Sequence, residues 1–357
     1  MDAIEKSWLL DHGTFDHIIL AGDIGGTHTN LALFGETGSR LTMLYKCAYA
    51  TQKVSSFFEP LGDFLSDIEA RNRALRPSLG CVSVAGPARY NYCKLTNAAW
   101  AVDGKAVEER FHIRTQVVND FNALSYAIPL LDREDRNQLL AVPHSDGTLP
   151  QASGDVMAVV GAGTGLGTGF LVRHGDDYRA YPSEGGHSDF SAFDEETIEL
   201  KRFVMRSYPA SPGTEPFLAG RGIANIYHFY KSRGMDTANE LAEIDALPES
   251  ERPARISALA KSSASCRKIM QLFVRIYGKY AARAALMYLP TDGLFIAGGI
   301  VGKNVPFFLE DNLFMQSFEQ SYLNNIHEVL MGIPVYIVRD YASSLYGAAN
   351  AARVLLA

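Results

Sequence analysis

The amino-acid sequence predicts an α/β fold made of two similar halves, and three observations support this prediction. The chain has 357 residues, which at about 150 residues per domain suggests two domains or one large α/β unit. A β-prone run, a glycine-rich turn and a second apolar run occur at residues 17–34 and again at residues 156–172, and this order is typical of a β-hairpin. Elsewhere, apolar runs of strand length alternate with segments of helical periodicity, as in α/β proteins.

The other elements follow from the same patterns. In chain order we expect a helix at 57–73, strands at 80–85 and 115–119, a helix at 121–131, a long helical stretch at 253–288, strands at 293–297 and 334–338, and a last helix at 343–356. The long stretch has apolar residues at three- and four-residue steps, and Pro253 suits its first turn. The charged segment 232–252 predicts a surface excursion, and residues 1–16 receive no role.

Composition excludes several classes of protein. Hydrophobic residues make up 47% of the chain and charged residues 20%, close to the averages of folded domains. The formal net charge is −7 without a basic block, so the cationic surface that nucleic-acid binding needs is not expected. No apolar run approaches the roughly 18 residues of a membrane span. We therefore expect neither a nucleic-acid nor a membrane partner.

Cysteine usage indicates the compartment. The four cysteines are scattered, with no CxxC pair and no Cys/His cluster, which fits a reduced cytoplasm and no structural zinc. The N-terminal segment mixes acids and bases and lacks the apolar core of a signal peptide. A cytoplasmic location is the expectation.

The turn of the first hairpin is the most informative stretch. Gly25 and Gly26 lack a Cβ, so their backbone N–H groups can converge on an anion, and Thr27 can add a hydroxyl donor. Asp23 could hold Mg²⁺ beside the phosphates, directly or through water. A plain tight turn is the commoner explanation of a lone Gly-Gly pair. However, the five glycines within residues 161–169 are more than a turn needs and favour phosphate binding.

Two familiar nucleotide-binding motifs are absent. The pattern GxxxxGK[ST] occurs nowhere in the chain, and GxGxxG fails in the second glycine loop because its last position is Leu166, Thr168 or Phe170. Both motifs open helices, whereas these loops join strands. The loops therefore predict phosphates held by two hairpins, one in each half.

Six motifs in chain order resemble those of one protein family. They are DIGGT at 23–27, VNDF at 118–121, GTGLG at 163–167, SEGGH at 183–187, LAGRG at 218–222 and AGGI at 297–300. The first, third and sixth resemble the phosphate and adenosine loops of the sugar kinase/heat-shock/actin superfamily. The other three resemble bacterial-type glucokinase, a form also found in some protists, and the resemblance runs from about residue 17 to the C terminus.

This resemblance implies a fold and a domain division. The fold is a two-lobed α/β fold of the actin-like/ribonuclease-H-like ATPase type, with mixed sheets and a cleft between lobes. The small α/β domain would comprise residues 1–119 plus 341–357, and the large α/β domain residues 120–340. The related repressor/kinase family carries a cysteine-rich zinc loop, and residues 188–265 contain no cysteine, which favours the glucokinase branch without zinc.

The resemblance also implies a nucleotide site for ATP with Mg²⁺. Its residues would be Asp23, Gly25, Gly26, Thr27, Gly163, Thr164, Gly165, Gly298 and Gly299. Asp23 would hold the Mg²⁺ through water. The loops recognise phosphate more clearly than adenine, so ADP or polyphosphate stays open as the phosphoryl donor.

A second set would bind the sugar. By resemblance it comprises Asn97, Asn119, Asp120, Glu184, His187 and Glu215. Asn119 and Asp120 would lie around O4 and O6, and Glu184 with His187 would bind O1 to O3. Carboxylates and amides suit this task because a buried hydroxyl without a partner costs free energy. His187 taken alone is more often a structural residue than a ligand.

Asp120 is the candidate general base. It follows a predicted strand and precedes a predicted helix, so its carboxylate is expected at the carboxyl end of a strand, where α/β folds bind ligands. It would accept the O6 proton as the hydroxyl attacks the γ-phosphate. An aspartate in this position is also a common helix N-cap, and the neighbouring motifs favour catalysis.

The leading functional hypothesis is a glucokinase that phosphorylates D-glucose at O6 with ATP. Another hexose or amino-sugar kinase, such as an N-acetylmannosamine kinase, remains open. An actin- or chaperone-like nucleotide switch is a weaker alternative because it needs no sugar ligands. A homodimer is the default expectation, and a protist origin would leave a peroxisome-like organelle open as the location.

Overall fold

The computed structural model describes residues 3–95, 98–235, 239–339 and 343–356, and these contain fourteen strands and thirteen α-helices. The strands are β1 Glu5–Trp8, β2 His17–Ile24, β3 His28–Thr37, β4 Arg40–Ala50, β5 Leu79–Val84, β6 Tyr92–Lys94, β7 Ala101–Asp103, β8 Arg114–Asn119, β9 Leu139–Ala141, β10 Val156–Ala162, β11 Leu166–His174, β12 Asp177–Ser183, β13 Gly293–Ala297 and β14 Val335–Val338. The helices are α1 Phe58–Asn72, α2 Gly104–Phe111, α3 Asp120–Ala127, α4 Glu195–Met205, α5 Glu215–Leu218, α6 Gly220–Ser232, α7 Asn239–Ala246, α8 Arg252–Leu259, α9 Ala264–Tyr288, α10 Gly299–Leu309, α11 Leu313–Glu319, α12 Asn324–Met331 and α13 Ser343–Leu356. The predicted α/β class is confirmed.

The chain forms two compact units. The first comprises Met1–Leu131, Arg173–Ala180 and Asp340–Ala357, and the second comprises Asp132–Val172 and Tyr181–Arg339. This division differs from the predicted boundaries at residues 119/120 and 340/341.

Helix α3 and the turn between β11 and β12 account for the difference. Helix α3 packs on α13, where the Asn350 side chain donates to the Tyr126 carbonyl at 2.8 Å. At Gly347 a Cβ would lie only 2.0 Å from the Ala123 carbonyl oxygen, so the two helices approach closely. The turn between β11 and β12 is held to α13 by Arg353 of that helix, whose Nη1 donates to Asp177, the first residue of β12, at 3.0 Å.

The sheet of the first unit has six strands in the order β1-β4-β3-β2-β5-β8. Strands β2, β5 and β8 are parallel, while β3 and β4 are antiparallel to their neighbours. The register sets Ile24 opposite Val84 and Val84 opposite Asn119. Because parallel strands end at the same edge of a sheet, residues 23–24 and 119–120 come to one edge.

The core of the first unit lies between this sheet and α1. Leu61, Phe64 and Ile68 are fully buried on α1 and pack against apolar residues of the central strands. The N-terminal residues, which the sequence left without a role, form β1 at the sheet edge. Trp8 of β1 stacks on Tyr45 with ring centroids 4.3 Å apart, so this segment covers the edge of β4.

The sheet of the second unit repeats the pattern with the order β12-β11-β10-β13-β14-β9. Strands β10 and β11 form the second hairpin, and β10, β13 and β14 are parallel. The mixed sheets expected from the sequence are thus present in both units. The register pairs Gly161 with Ala297, so the second glycine loop lies beside the segment that follows β13.

Helix α9 is the main core helix of the second unit. Its buried face includes Phe273 and Tyr277, and the Tyr277 ring meets Phe308 edge-on at 5.4 Å. The predicted continuous stretch 253–288 is instead two helices, α8 and α9, because the Ser263 side chain accepts the N–H of Cys266 at 3.3 Å and caps a new helix. The predicted surface excursion contains α7. No helix in the described parts of the chain has both the length and the apolar character needed to cross a membrane.

Candidate active site

The first glycine turn, residues 25–27, is held by the short segment that follows β4. Thr51 donates its backbone N–H to the Thr27 carbonyl and its hydroxyl to the Gly25 carbonyl, both at 2.9 Å. The Gln52 amide donates to the Gly26 carbonyl at 3.1 Å. These three bonds fix the backbone of the turn.

Thr51 is itself fixed in the core. It is fully buried, and its hydroxyl lies 3.0 Å from that of Thr29, which is also buried. Sequence reasoning missed Thr51 and Gln52. Neither belongs to a recognised motif, and both follow a strand that was not predicted.

Asp23 lies near the end of β2, where the register pairs it with Asn30 of β3 and Ser83 of β5. Its carboxylate accepts the Ser344 hydroxyl at 3.0 Å. Partial burial raises the pKa of Asp23, and the hydrogen bond from Ser344 opposes that effect. A cation bound beside this carboxylate would favour its charged form.

Asn119 and Asp120 lie at the start of α3. The Asn119 side chain accepts the N–H of Asn122 at 2.7 Å, so Asn119 is the N-cap of this helix. The alternative interpretation, in which Asp120 is the N-cap, is therefore wrong, because Asn119 has that role. Asp120 instead accepts the adjacent Phe121 N–H at 2.8 Å and remains exposed to solvent.

The electrostatic setting of Asp120 links it to the glycine turn. Although Asp120 keeps contact with solvent, the protein atoms around its carboxyl displace part of the water and raise its pKa. The hydrogen bond from Phe121 lowers this pKa, and the negative charge of Asp23 raises it. The register of β2, β5 and β8 places both residues at the same edge of the sheet. A base with a raised pKa takes up a proton more readily.

Asn97 lies outside the described residues. Its predicted role as a sugar ligand therefore stays a prediction.

In the second unit, a single 3₁₀ turn, Gly185–His187, follows β12; Glu184 precedes this turn and His187 ends it. Glu184 Oε2 lies 3.9 Å from His187 Nε2, and their side chains are 82% and 63% exposed, so both are accessible to a ligand. The intervening Gly186 is required by packing, because a Cβ there would lie 1.9 Å from the Leu166 carbonyl oxygen.

Glu215 begins α5 and reaches the second glycine loop. Its Oε2 accepts the backbone N–H of Leu166 at 3.1 Å, and the position of a Cβ on Gly165 would be 2.9 Å from the same oxygen. The loop is closed by a bond from the Gly163 N–H to the Gly165 carbonyl at 2.8 Å. The N–H of Gly220, at the start of α6, donates to the Gly163 carbonyl at 2.9 Å.

The segments that carry Glu184, His187 and Glu215 are joined to each other. Thr214 donates its N–H and its hydroxyl to the Ser188 carbonyl, at 2.8 and 2.9 Å. Gly213 allows the close contact, since its Cβ would lie 2.4 Å from the His187 carbonyl oxygen. The second unit therefore brings these three predicted sugar ligands into one region.

Gly298 brings the start of α10 against the end of β10. Its φ of +100° and the position of its missing Cβ, 2.3 Å from the Ala162 carbonyl oxygen, both require glycine. Gly299 is the first residue of α10. The predicted adenosine loop thus lies next to the predicted phosphate loop that contains Gly163, Thr164 and Gly165.

The residues of this region suit a Mg²⁺ ion that has few protein ligands and is bound mainly by water and substrate phosphates. Within the described ranges, no cluster of three or more His, Cys, Asp or Glu side chains could hold a metal ion. Asp23 offers a carboxylate among hydroxyl and amide groups, and Mg²⁺ is commonly bound through one or two carboxylates together with water and substrate phosphates. Asp23 therefore fits the predicted role.

Two mixed sheets, each with a glycine hairpin beside a parallel strand, define the class: this is the actin-like sugar kinase fold. The family model described as Glucokinase matches residues 20–355. The chain belongs to the glucokinase family, as the resemblance predicted.

Individual proteins agree with this assignment. The chain is 33% identical over 347 residues to a glucokinase from Nostoc sp. (strain PCC 7120), covering 93% of this chain and 98% of that protein. The structure is similar to the crystal structure of a glucokinase from an Antarctic psychrotroph, with a TM-score of 0.79, 26% identity and coverage of 96% of this chain and 100% of that one. The fold also matches a ROK family glucokinase from Streptomyces griseus solved with glucose and AMPPNP, with a TM-score of 0.57, 18% identity and coverage of 94% and 99%.

Proposed function

We propose that the protein transfers the γ-phosphoryl group of ATP to O6 of D-glucose, giving glucose 6-phosphate and ADP. The register of the first sheet supports the proposal most directly. Ile24 of β2 pairs with Val84 of β5, and Val84 pairs with Asn119 of β8, so the three residues form one row across the sheet. A phosphate-binding turn and a candidate base therefore belong to one sheet edge, with Asp23 acting on the pKa of Asp120.

Asp120 is the general base of this reaction. Its carboxylate accepts the O6 proton while O6 forms a bond to the γ-phosphorus and the bond to the bridging oxygen of ADP breaks. The transition state of phosphoryl transfer is loose, so positioning matters more than basicity. Asn119 contributes by capping α3, which fixes the backbone from which Asp120 projects.

The sugar hydroxyls are bound by Asn97, Asn119, Glu184, His187 and Glu215. Exposed Glu184 and His187 side chains are ready to exchange water for hydroxyl groups. Glu215 already accepts one backbone N–H, and an ionised carboxylate has about four acceptor positions, which leaves others for sugar.

The phosphates are bound by the two glycine turns, through Gly25, Gly26 and Thr27 and through Gly163, Thr164 and Gly165. Gly298 and Gly299 bind the adenosine part of ATP. Mg²⁺, held at Asp23 through water, would neutralise phosphate charge. AMPPNP in the Streptomyces griseus structure is an ATP analogue and supports ATP as the donor. The cytoplasmic location and the homodimer stay predictions.

A panel of acceptors and donors tests the proposal. Glucose, mannose, fructose and N-acetylmannosamine are each offered with ATP, ADP or polyphosphate, and the phosphorylated sugar is detected directly by mass spectrometry. We expect the highest kcat/KM for glucose with ATP. A higher value for another sugar, or ATP hydrolysis that needs no sugar, contradicts the proposal.

A further inference from the structure

Arg283 of α9 forms a hydrogen-bonded junction, in which it donates to the two segments next to the predicted sugar ligands His187 and Glu215. Its Nη1 donates to the Asp189 carbonyl at 2.7 Å and to the Ser191 hydroxyl at 3.2 Å, and its Nη2 donates to the Ser188 hydroxyl at 3.1 Å and to the Thr214 hydroxyl at 2.9 Å. These acceptors belong to two segments that are distant in sequence. One follows His187 directly, and the other precedes Glu215 directly.

The base of this junction is rigid. Helix α9 is the principal core helix, and the Arg283 guanidinium lies over the Tyr280 ring at 4.9 Å from its centroid. Tyr280 is buried, and its hydroxyl lies 2.5 Å from that of Thr168 on β11. Arg283 is therefore anchored to both the helix and the sheet.

The junction extends to the turn that carries Glu184 and His187. The Ser188 hydroxyl, which accepts from Arg283, donates to the Gly185 carbonyl at 2.6 Å. Thr214, another of the three hydroxyl acceptors of Arg283, donates to the Ser188 carbonyl. One guanidinium thus orders both segments, which a lysine with a single ammonium group would do less well.

We propose that Arg283 is a positioning residue for sugar binding, and this inference rests on the proposed function. It fixes the spacing of Glu184, His187 and Glu215 through the backbone of residues 188–191 and 214. It acts in the free protein, before any ligand binds. A displacement of about 1 Å in such groups costs up to about 100-fold in rate.

The test compares Arg283→Met and Arg283→Lys with a matched control on the same helix, Arg267→Met. Arg267 pairs with Glu310 on the surface and contacts neither sugar segment. Amide hydrogen exchange is measured over residues 183–191 and 212–217 without ligand, together with kcat and KM for glucose and for ATP. Thr214→Val is the second variant if Arg283→Met does not fold. It preserves shape and removes both an acceptor of Arg283 and the hydroxyl that donates to the Ser188 carbonyl.

Arg283→Met is expected to accelerate exchange in both segments and to raise the KM for glucose roughly 10- to 100-fold. The KM for ATP should rise less than the KM for glucose, because Arg283 acts on the phosphate loop indirectly, through the contact of Glu215 with Leu166. Arg283→Lys and Thr214→Val should fall between Arg283→Met and the wild type, and Arg267→Met should match the wild type. If Arg283→Lys recovers part of the glucose affinity that Arg283→Met loses, the loss comes from the missing hydrogen bonds and not from unfolding of α9.

Two other outcomes are distinct. If the wild type phosphorylates glucose and Arg283→Met has the same glucose KM or the same exchange as Arg267→Met, Arg283 is not a positioning residue. A wild type that neither binds nor phosphorylates a hexose contradicts the proposed function, and the role of Arg283 in sugar affinity falls with it. The exchange data then still decide whether Arg283 orders the two segments.

Discussion

The Glu215 carboxylate accepts the backbone N–H of Leu166 at 3.1 Å. Glu215 is a predicted sugar ligand, and Leu166 ends the second glycine turn. One side chain therefore belongs to the predicted sugar set and to the support of a predicted phosphate loop.

This double role distinguishes Glu215 from Glu184. Glu215→Ala should raise the KM for both glucose and ATP, whereas Glu184→Ala should raise that for glucose alone. A hydrogen bond to a charged group contributes about 1.5 to 3 kcal/mol, which corresponds to roughly 10- to 100-fold in affinity. Steady-state kinetics with each substrate varied in turn measures both constants, and an unchanged ATP constant in Glu215→Ala would limit that residue to the sugar.

Removal of the general base should act on turnover. Asp120→Ala is expected to lower kcat by roughly two to four orders of magnitude, because proton transfer from O6 loses its acceptor. ATP affinity, measured by calorimetry, should remain largely intact. Asp146→Asn is the control, since Asp146 accepts two bonds from Thr148 within its own loop. Near-normal turnover in Asp120→Ala would remove Asp120 as the base.

The pH profile reports the same group. Asp120 must be ionised to accept a proton, and desolvation together with Asp23 raises its pKa. Activity should therefore be lost on the acid side at a higher pH than for an ordinary aspartate. Asp23→Asn removes the neighbouring negative charge, so the acid limb of its residual kcat/KM should move to lower pH. A limb that stays in place, or moves to higher pH, would show that Asp23 does not act on Asp120.

Thr51 should affect the nucleotide and not the sugar. Thr51→Val removes the hydroxyl that donates to the partly buried Gly25 carbonyl, and the loss of this bond costs about 1 kcal/mol. We expect the Kd for ATP to rise about tenfold while glucose affinity is unchanged. Equal losses for both ligands would indicate general destabilisation.

Local patterns in the sequence predicted much of the fold. The helix expected at 57–73 is α1, Phe58–Asn72, and both glycine turns join strands as expected. Strand β4 was missed because polar residues such as Lys46 interrupt its apolar pattern. The break before α9 depends on a single serine cap, which periodicity alone does not reveal.

Tertiary contacts explain what the sequence could not predict. The unit boundary depends on α3 packing against α13, and these helices lie far apart in the chain. Arg283 is an ordinary arginine on a helical pattern until the fold brings Ser188 and Thr214 to it. The raised pKa of Asp120 likewise depends on the protein atoms packed around its carboxyl and, to a smaller extent, on Asp23, a neighbour across the sheet.

The central claim is tested most directly by phosphorus NMR of the wild-type protein with glucose, ATP and Mg²⁺. The account predicts glucose 6-phosphate and ADP in equal amounts, and product formation at least about 100-fold slower with Asp120→Asn. Inorganic phosphate without sugar phosphate, or phosphate on an oxygen other than O6, would contradict it.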